Sequence, residues 1–166
     1  MLLCGLLLLF LVNRADCQVP ATSPEPTGTG GNGRSASIYV YRNWRTFGAA
    51  IEPALYLDDL EIAKMANGSY FLLKVEPGVH TIRSTDKKVE LNMGFKSGTD
   101  YFVRIDLRPT WYSIGKGEPI LESCEAFRSG VKDLKPLTAH HVRDKQRVIV
   151  PSDEGTEVRC AGGSEQ

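Results

Sequence analysis

The chain has 166 residues, with 20 Lys and Arg against 20 Asp and Glu, so its formal net charge at pH 7 is zero. A neutral chain lacks the basic field that holds a nucleic-acid backbone or an anionic membrane surface, which excludes both as partners bound by charge. The length suits one ordinary domain with tails, because single domains cluster at about 100 to 150 residues.

The N-terminal segment reads as an export signal. Residues 2–12 are an unbroken apolar run, and a helix of that length covers only about half of a bilayer core of about 30 Å. We predict a signal peptide at 1–17, cleaved after Cys17 or after Ala15, with an uncleaved anchor helix as an alternative. A lipid anchor on Cys17 is disfavoured, because the neighbouring Asp16 does not suit a lipobox. The expected location is secreted or periplasmic, at the cell envelope, with no membrane span in the mature chain.

The next segment has the composition of a tether. Of the 19 residues in 18–36, 12 are Pro, Gly, Ser or Thr, and such a stretch cannot bury enough apolar surface to offset its ordering entropy. We predict a disordered linker at 18–36, a folded domain at 37–138, and a C-terminal extension at 139–166 that is largely flexible.

Apolar residues alternate with polar ones along the predicted domain. Tyr101, Val103 and Ile105 alternate with Phe102 and Arg104, which is the pattern of a half-buried strand. Similar short runs recur every eight to twelve residues, so we predict an all-β fold, a small antiparallel β-sandwich of seven or eight strands. A short C-terminal helix is expected within residues 120–134, although their first part could instead form a last strand around 119–124.

Turn residues separate these runs. Asn67-Gly68 can supply the positive φ values of a tight type I′ hairpin, and Asp58-Asp59 separates two further runs.

Several short motifs occur together in a fixed order. They are Val40-Tyr41-Arg42 followed by Gly48, Leu55-Tyr56-Leu57-Asp58, Asn67-Gly68-Ser69-Tyr70-Phe71, Pro77-Gly78-Val79-His80-Thr81-Ile82 and Tyr101-Phe102-Val103-Arg104. Over about residues 39–135 this set resembles the mainly bacterial family called domain of unknown function 2846, whose members are small envelope β domains. The element beginning at Pro77 is also similar to the end of a PEGA-type repeat.

The resemblance implies a transthyretin-like or prealbumin-like sandwich, and it implies no active site, because the family has no established catalytic residues. Asp59 stands where such sequences usually carry Gly. Since Asp tolerates left-handed backbone less well than Gly, we expect the Asp58-Asp59 loop to be longer or of another turn type.

The residues themselves indicate no enzyme, no cofactor and no metal site. His140-His141 are adjacent on an extended chain and would point to opposite faces, so they are poor joint ligands. Asp58, Asp59 and Glu61 could hold Ca²⁺ at a turn, but three carboxylates without an EF-hand loop more often form a solvated turn.

Two side-chain features remain as candidates. In an oxidising compartment Cys124 and Cys160 could form a disulfide, the alternative being two unpaired thiols. Trp44, Trp111 and Tyr112 could contact a ligand, the alternative being packing in or around the core. We therefore expect a non-enzymatic module that contacts a protein or envelope component, or else a carbohydrate-binding or accessory domain.

Overall fold

The structure of the protein is a computed structural model that describes residues 34–85, 89–110 and 113–152. For residues 108–110 and 113–116 only the backbone is described. The predicted signal peptide and nearly all of the predicted linker lie outside these ranges. Within them, no helix is long and apolar enough to cross a membrane.

The described chain contains ten strands and one α-helix. In chain order they are β1 (Ala36–Arg42), β2 (Ala54–Leu57), β3 (Leu60–Lys64), β4 (Ser69–Val75), β5 (Gly78–Arg83), β6 (Glu90–Phe95), β7 (Asp100–Thr110), β8 (Ser113–Glu122), α1 (Cys124–Gly130), β9 (Lys135–Pro136) and β10 (Val148–Ile149). Two 3₁₀ turns, Val131–Asp133 and Ala139–His141, flank β9. The eight longer strands match the predicted number, whereas β9 and β10 have two residues each and are too short to show a period.

The strands form two sheets. One has six strands in the order β10-β4-β1-β7-β8 with β9 also paired to β4, and the other has four in the order β3-β2-β5-β6. Ile38 and Val40 of the first sheet share one buried core with Leu55 and Ile82 of the second. The all-β sandwich class predicted from the period-two pattern is therefore confirmed.

Two pairings in the six-stranded sheet, β1 with β7 and β4 with β9, are parallel and differ from the expected antiparallel arrangement. β1 runs parallel to β7, with Ile38 opposite Tyr101 and Val40 opposite Val103, while its other neighbour β4 is antiparallel. Parallel neighbours need a long crossover, and here the chain between β1 and β7 includes the whole four-stranded sheet. Local alternation gives no information about the direction of a distant partner, so the sequence could not show this pairing.

The outer face of the six-stranded sheet carries a second, aromatic core. Tyr41, Tyr70 and Phe102 lie on this face and pack with Phe127 of α1, which is fully buried. The Phe127 ring centroid is 5.1 Å from that of Tyr41 and 5.0 Å from that of Phe102. The alternation of aliphatic and aromatic residues in β1 therefore reflects two buried faces, one towards the other sheet and one under the helix.

The helix is shorter than the predicted window. The Ser123 side chain accepts a hydrogen bond from the Ala126 N–H at 3.2 Å and caps α1, so residues up to Glu122 remain in β8. The predicted alternative of a last strand is thus correct for residues up to Glu122, and the predicted helix is correct for Cys124–Gly130.

The folded unit continues past residue 138. Val142 and Val148 belong to the sandwich core, and β10 pairs with β4 through Val148 opposite Leu73. The predicted boundary was too early, because residues 139–152 show no clear period and are held by contacts distant in sequence.

Two turns differ from expectation. Asn67-Gly68 links β3 to β4, which lie in different sheets, so it is a crossover and not a hairpin; only Gly68, with φ of 66°, is left-handed. Asp58 and Asp59 form a tight two-residue turn with φ of 48° and 68°, not a longer loop, because their carboxylates are bound by neighbouring groups described below.

Candidate functional site

The connection between β1 and β2, residues 43–53, is here called the aromatic loop. Trp44 is 65% exposed and Phe47 is 61% exposed, and Ala49 and Ala50 are exposed beside them. From Trp44 to Ile51 the sequence contains no carboxylate. Large exposed aromatic side chains grouped on one loop are typical of a binding surface.

A buried arginine at the end of β1 holds this loop in place. Arg42 is only 3% exposed, and its guanidinium donates to the carbonyl oxygens of Gly48 and Met65 at 2.9 Å each and also to that of Ile51. Burial lowers the pKa of Arg42, and the nearby carboxylate of Glu52 opposes that shift. A guanidinium remains protonated in proteins, so one buried cation fixes two carbonyls of the loop and one of the β3–β4 connection.

The side chain of Asn67 provides a second anchor. It accepts from the Arg45 N–H at 3.0 Å and donates to the Arg45 carbonyl at 2.9 Å. The adjoining Gly68 lies under Trp44, and a Cβ on Gly68 would be 3.2 Å from both Cβ and Cδ1 of that tryptophan. The exposed indole therefore projects from a backbone that is fixed on two sides.

A charged network lies beside the loop on the six-stranded sheet. Arg104 contacts Glu122 at 2.7 Å and Asp106 at 3.2 Å, and Arg45 contacts Asp106 at 3.1 Å. Burial lowers the pKa of Arg104, but the hydrogen bond and charge of Glu122 and the charge of Asp106 outweigh it and raise the pKa. Ion pairing thus keeps this arginine charged.

These groups line a shallow cleft between the aromatic loop and β7. The cleft encloses no cavity of ligand size. At its edge, Asn43 Oδ1 is buried and has no hydrogen-bond partner among the described residues. The exposed feature of this region is accordingly the projecting loop and not a pocket.

Two of the three carboxylates considered for Ca²⁺ are bound by neighbouring side chains of the protein. Asp58 contacts His80 at 2.5 Å, and Asp59 contacts Arg83 at 2.8 Å. Glu61 lies 3.5 Å from Arg143, and its buried Oε1 has no hydrogen-bond partner among the described residues. Among the described residues no group of three or more potential ligands could hold a metal ion. The carboxylates of this turn therefore serve to lock the turn to β5 and its surroundings.

His80 and His141 make contacts within the protein. His140 and His141 lie in a 3₁₀ turn and not on an extended chain, and their ring centroids are 3.8 Å apart, so the expectation that they point to opposite faces was wrong. His80 lies between Asp58 and the Glu76 carbonyl, which is 2.9 Å from Nε2. His141 Nδ1 lies 2.7 Å from the Thr138 hydroxyl, and its Nε2 lies 3.0 Å from a carboxylate oxygen of Glu52.

The chain of Thr138, His141 and Glu52 was not found from the sequence. It has the hydroxyl–imidazole–carboxylate order used to activate nucleophiles. The hydroxyl, however, begins the 3₁₀ turn that contains the imidazole, and the carboxylate ends the aromatic loop. The contacts connect the C-terminal segment to the loop. His141 and Glu52 are 89 positions apart, so no local motif could indicate this contact.

The predicted site residues are placed as follows. Trp44 is exposed, whereas Tyr41 and Tyr70 are buried, and a ligand contact by Trp44 stays a prediction. Phe47 was not among the predicted contacts, although its aromatic type and position three residues after Trp44 could have indicated it. Cys124 is the first residue of α1 and packs against the aromatic core. Trp111, Tyr112 and Cys160 lie outside the described residues, so the disulfide and the two further aromatic contacts stay predictions.

Fold and surface together define a small β-sandwich module with an anchored, exposed aromatic loop. The family model "Protein of unknown function (DUF2846)" matches residues 32–116, and the chain belongs to this family. A protein of Haemophilus influenzae titled "Uncharacterized protein" is 32% identical over 140 residues, which cover 78% of this chain and 80% of that relative. No solved structure matches the chain.

Proposed function

We propose that this protein is an exported, non-enzymatic binding module that contacts a component of the cell envelope through the aromatic loop. One observation carries the proposal: Trp44 and Phe47 are 65% and 61% exposed on a loop whose backbone is held by a buried arginine. Rigid aromatic side chains lose little conformational entropy on binding and often supply most of an interface's energy.

The export part of the proposal is supported by the apolar run at residues 2–12. The non-enzymatic part is supported by the contacts of the polar side chains in the described residues, which pair with one another within the protein. Arg104, Asp59 and His80 each pair with a group of opposite charge or with a carboxylate within the sandwich.

Retention on an envelope fraction tests the proposal. The chain carrying Trp44→Ser and Phe47→Ser should co-sediment with envelope fragments far less than the unchanged chain. The matched control is Val79→Ser, because Val79 is 74% exposed on β5, in the other sheet, and should not alter retention. Failure of the unchanged chain to be retained, or equal retention of the double variant, would refute the proposal.

A carbohydrate-binding or accessory role is the second candidate, favoured by the exposed indole of Trp44, which could stack on a sugar ring. A glycan array separates the two roles. Binding to an envelope polysaccharide that disappears on Trp44→Ala would support the carbohydrate role, and absence of binding to every glycan would remove it.

A further inference from the structure

Several backbone polar groups of the exposed aromatic loop, at Arg45, Gly48 and Ile51, are bonded within the protein. The Gly48 and Ile51 carbonyls accept from Arg42, and Arg45 exchanges two hydrogen bonds with Asn67. The Ile51 N–H also donates to the Gly48 carbonyl at 3.0 Å. Internal bonding of this kind makes it easier for a segment to leave bulk water for the less polar interfacial region of a bilayer, because an unpaired N–H or C=O is unfavourable away from water.

We propose that the aromatic loop inserts into the interfacial region of a phospholipid bilayer. This inference rests on the proposed function and names the envelope component that the loop contacts. Trp44 and Phe47 would enter at headgroup depth, with Ala49 and Ala50 beside them.

The side-chain chemistry fits that environment. Tryptophan is enriched at membrane–water interfaces, where one end of the ring is apolar and the other can remain hydrated. Trp44 and Phe47 project from the surface, and the adjoining cleft encloses no cavity of ligand size. A lipid phase can deform around projecting apolar side chains. A protein partner would instead have to provide a pocket shaped to receive them, so the lipid phase fits these side chains better.

The charges fit a lipid surface that is bound mainly by apolar contact. Between Trp44 and Ile51 the only charged residue is Arg45, whose side chain is 50% exposed and pairs with Asp106. The chain as a whole has no net charge, so we expect binding to depend weakly on ionic strength.

The loop can be observed directly by its own fluorescence. The chain has two tryptophans, so Trp111→Phe leaves Trp44 as the sole reporter. On addition of protein-free vesicles of phosphatidylethanolamine and phosphatidylglycerol, its emission should shift to shorter wavelength and be quenched by brominated acyl chains. This readout reports on the loop even if another part of the chain also touches the vesicle.

A matched reporter variant controls for nonspecific contact. In this variant Val79→Trp is combined with Trp44→Phe and Trp111→Phe, so that the sole tryptophan lies at an exposed site on β5. Neither the emission shift nor the quenching by brominated acyl chains should occur there. Phe47→Ser in the otherwise unchanged chain is a second measurement that keeps both tryptophans, and it should weaken vesicle partitioning by about tenfold, the equivalent of about 1.4 kcal/mol.

The two proposals fail in distinguishable ways. If the chain is retained on the envelope fraction but Trp44 shows neither shift nor quenching with protein-free vesicles, the lipid inference is wrong and a protein or glycan is the partner. If the chain is not retained on the envelope fraction at all, the proposed function itself is wrong. Equal quenching at both reporter sites would also overturn the lipid inference.

Discussion

The side-chain amide of Asn67 pairs with the backbone of Arg45 much as one strand residue pairs with another, through bonds of 3.0 Å and 2.9 Å. The contact joins the β3–β4 crossover to the aromatic loop across 22 positions of sequence. Asn67 thus acts on the loop from a different part of the chain, and an amide is needed there because the pairing uses both its donor and its acceptor.

Asn67→Asp should loosen the aromatic loop while leaving the sandwich folded. The substitution removes the donor and turns an oxygen towards the Arg45 carbonyl, which should lower the free energy of unfolding by about 1 kcal/mol and reduce retention on the envelope fraction. Denaturant unfolding and the co-sedimentation assay measure the two effects. Retention at the level of the unchanged chain would show that the loop does not need this anchor.

Arg42→Met should destabilise the protein by about 3 kcal/mol. Three carbonyl groups, of Gly48, Ile51 and Met65, lose their donor, and a buried acceptor left without a partner is unfavourable by about 1 to 3 kcal/mol. Chemical denaturation gives the value. Arg45→Met is the control, because its half-exposed ion pair should contribute no more than about 1 kcal/mol; similar losses in the two variants would contradict the anchoring role of Arg42.

Asp58→Asn should reduce stability at neutral pH and have little effect in acid. Partial burial would raise the pKa of Asp58, but hydrogen bonds from His80 and the Thr81 N–H, together with the charge of His80, lower it further than burial raises it. A carboxyl whose folded-state pKa is depressed stabilises the fold above its unfolded value of about 3.9, and this contribution disappears as the pH falls through the lower folded value.

The difference in unfolding free energy between the unchanged chain and Asp58→Asn should therefore be constant above about pH 5 and shrink as the pH is lowered below about 4. Asn tolerates the left-handed φ of this position, so the turn itself should persist. Glu90→Gln, an exposed carboxylate of β6, is the control. A difference that stays constant or grows as the pH is lowered would exclude the assigned role of the Asp58–His80 contact.

Gly117→Ala should lower stability by about 1 to 3 kcal/mol through overpacking. A Cβ at Gly117 in β8 would collide with Oγ of the fully buried Ser84 and lie 3.0 Å from Cβ of Pro53. Thermal unfolding should show a Tm several degrees lower. Gly94→Ala in β6, where an added Cβ meets nothing within 4 Å, should be close to neutral, and an equal drop in Tm for both variants would be inconsistent with a close approach at Gly117.

The predicted disulfide between Cys124 and Cys160 can be tested on material recovered from the envelope or the medium. The crosslink would close a loop of about 35 residues, for which the chain-entropy model gives a stabilisation of roughly 3 to 4 kcal/mol. Reduction of the disulfide should therefore lower the Tm. Mass spectrometry after alkylation, with and without reductant, identifies the state of each thiol. A Cys160 that is alkylated without reductant would rule the pairing out.

The secondary structure was largely readable from the sequence, and the site only in part. Period-two alternation identified the strands because each strand here has one face towards a core, and Trp44 was found because it is a large aromatic residue in a stretch without strand periodicity. Phe47 was missed, because its aromatic type and its position near Trp44 mark it as a candidate but do not show whether its side chain is exposed or folds back. Arg42 and Asn67 were missed as anchors because their partners lie up to 23 positions away.

The sequence by itself determined the family, the β-sandwich class and the eight longer strands, because these follow from composition, local alternation and the order of short motifs. Only the tertiary structure decided that β1 lies parallel to β7, that Asn67-Gly68 crosses between sheets, and that Arg42 fixes the aromatic loop. These features depend on contacts between residues far apart in the chain. Such contacts stabilise the fold without producing a periodic pattern in the sequence around either partner.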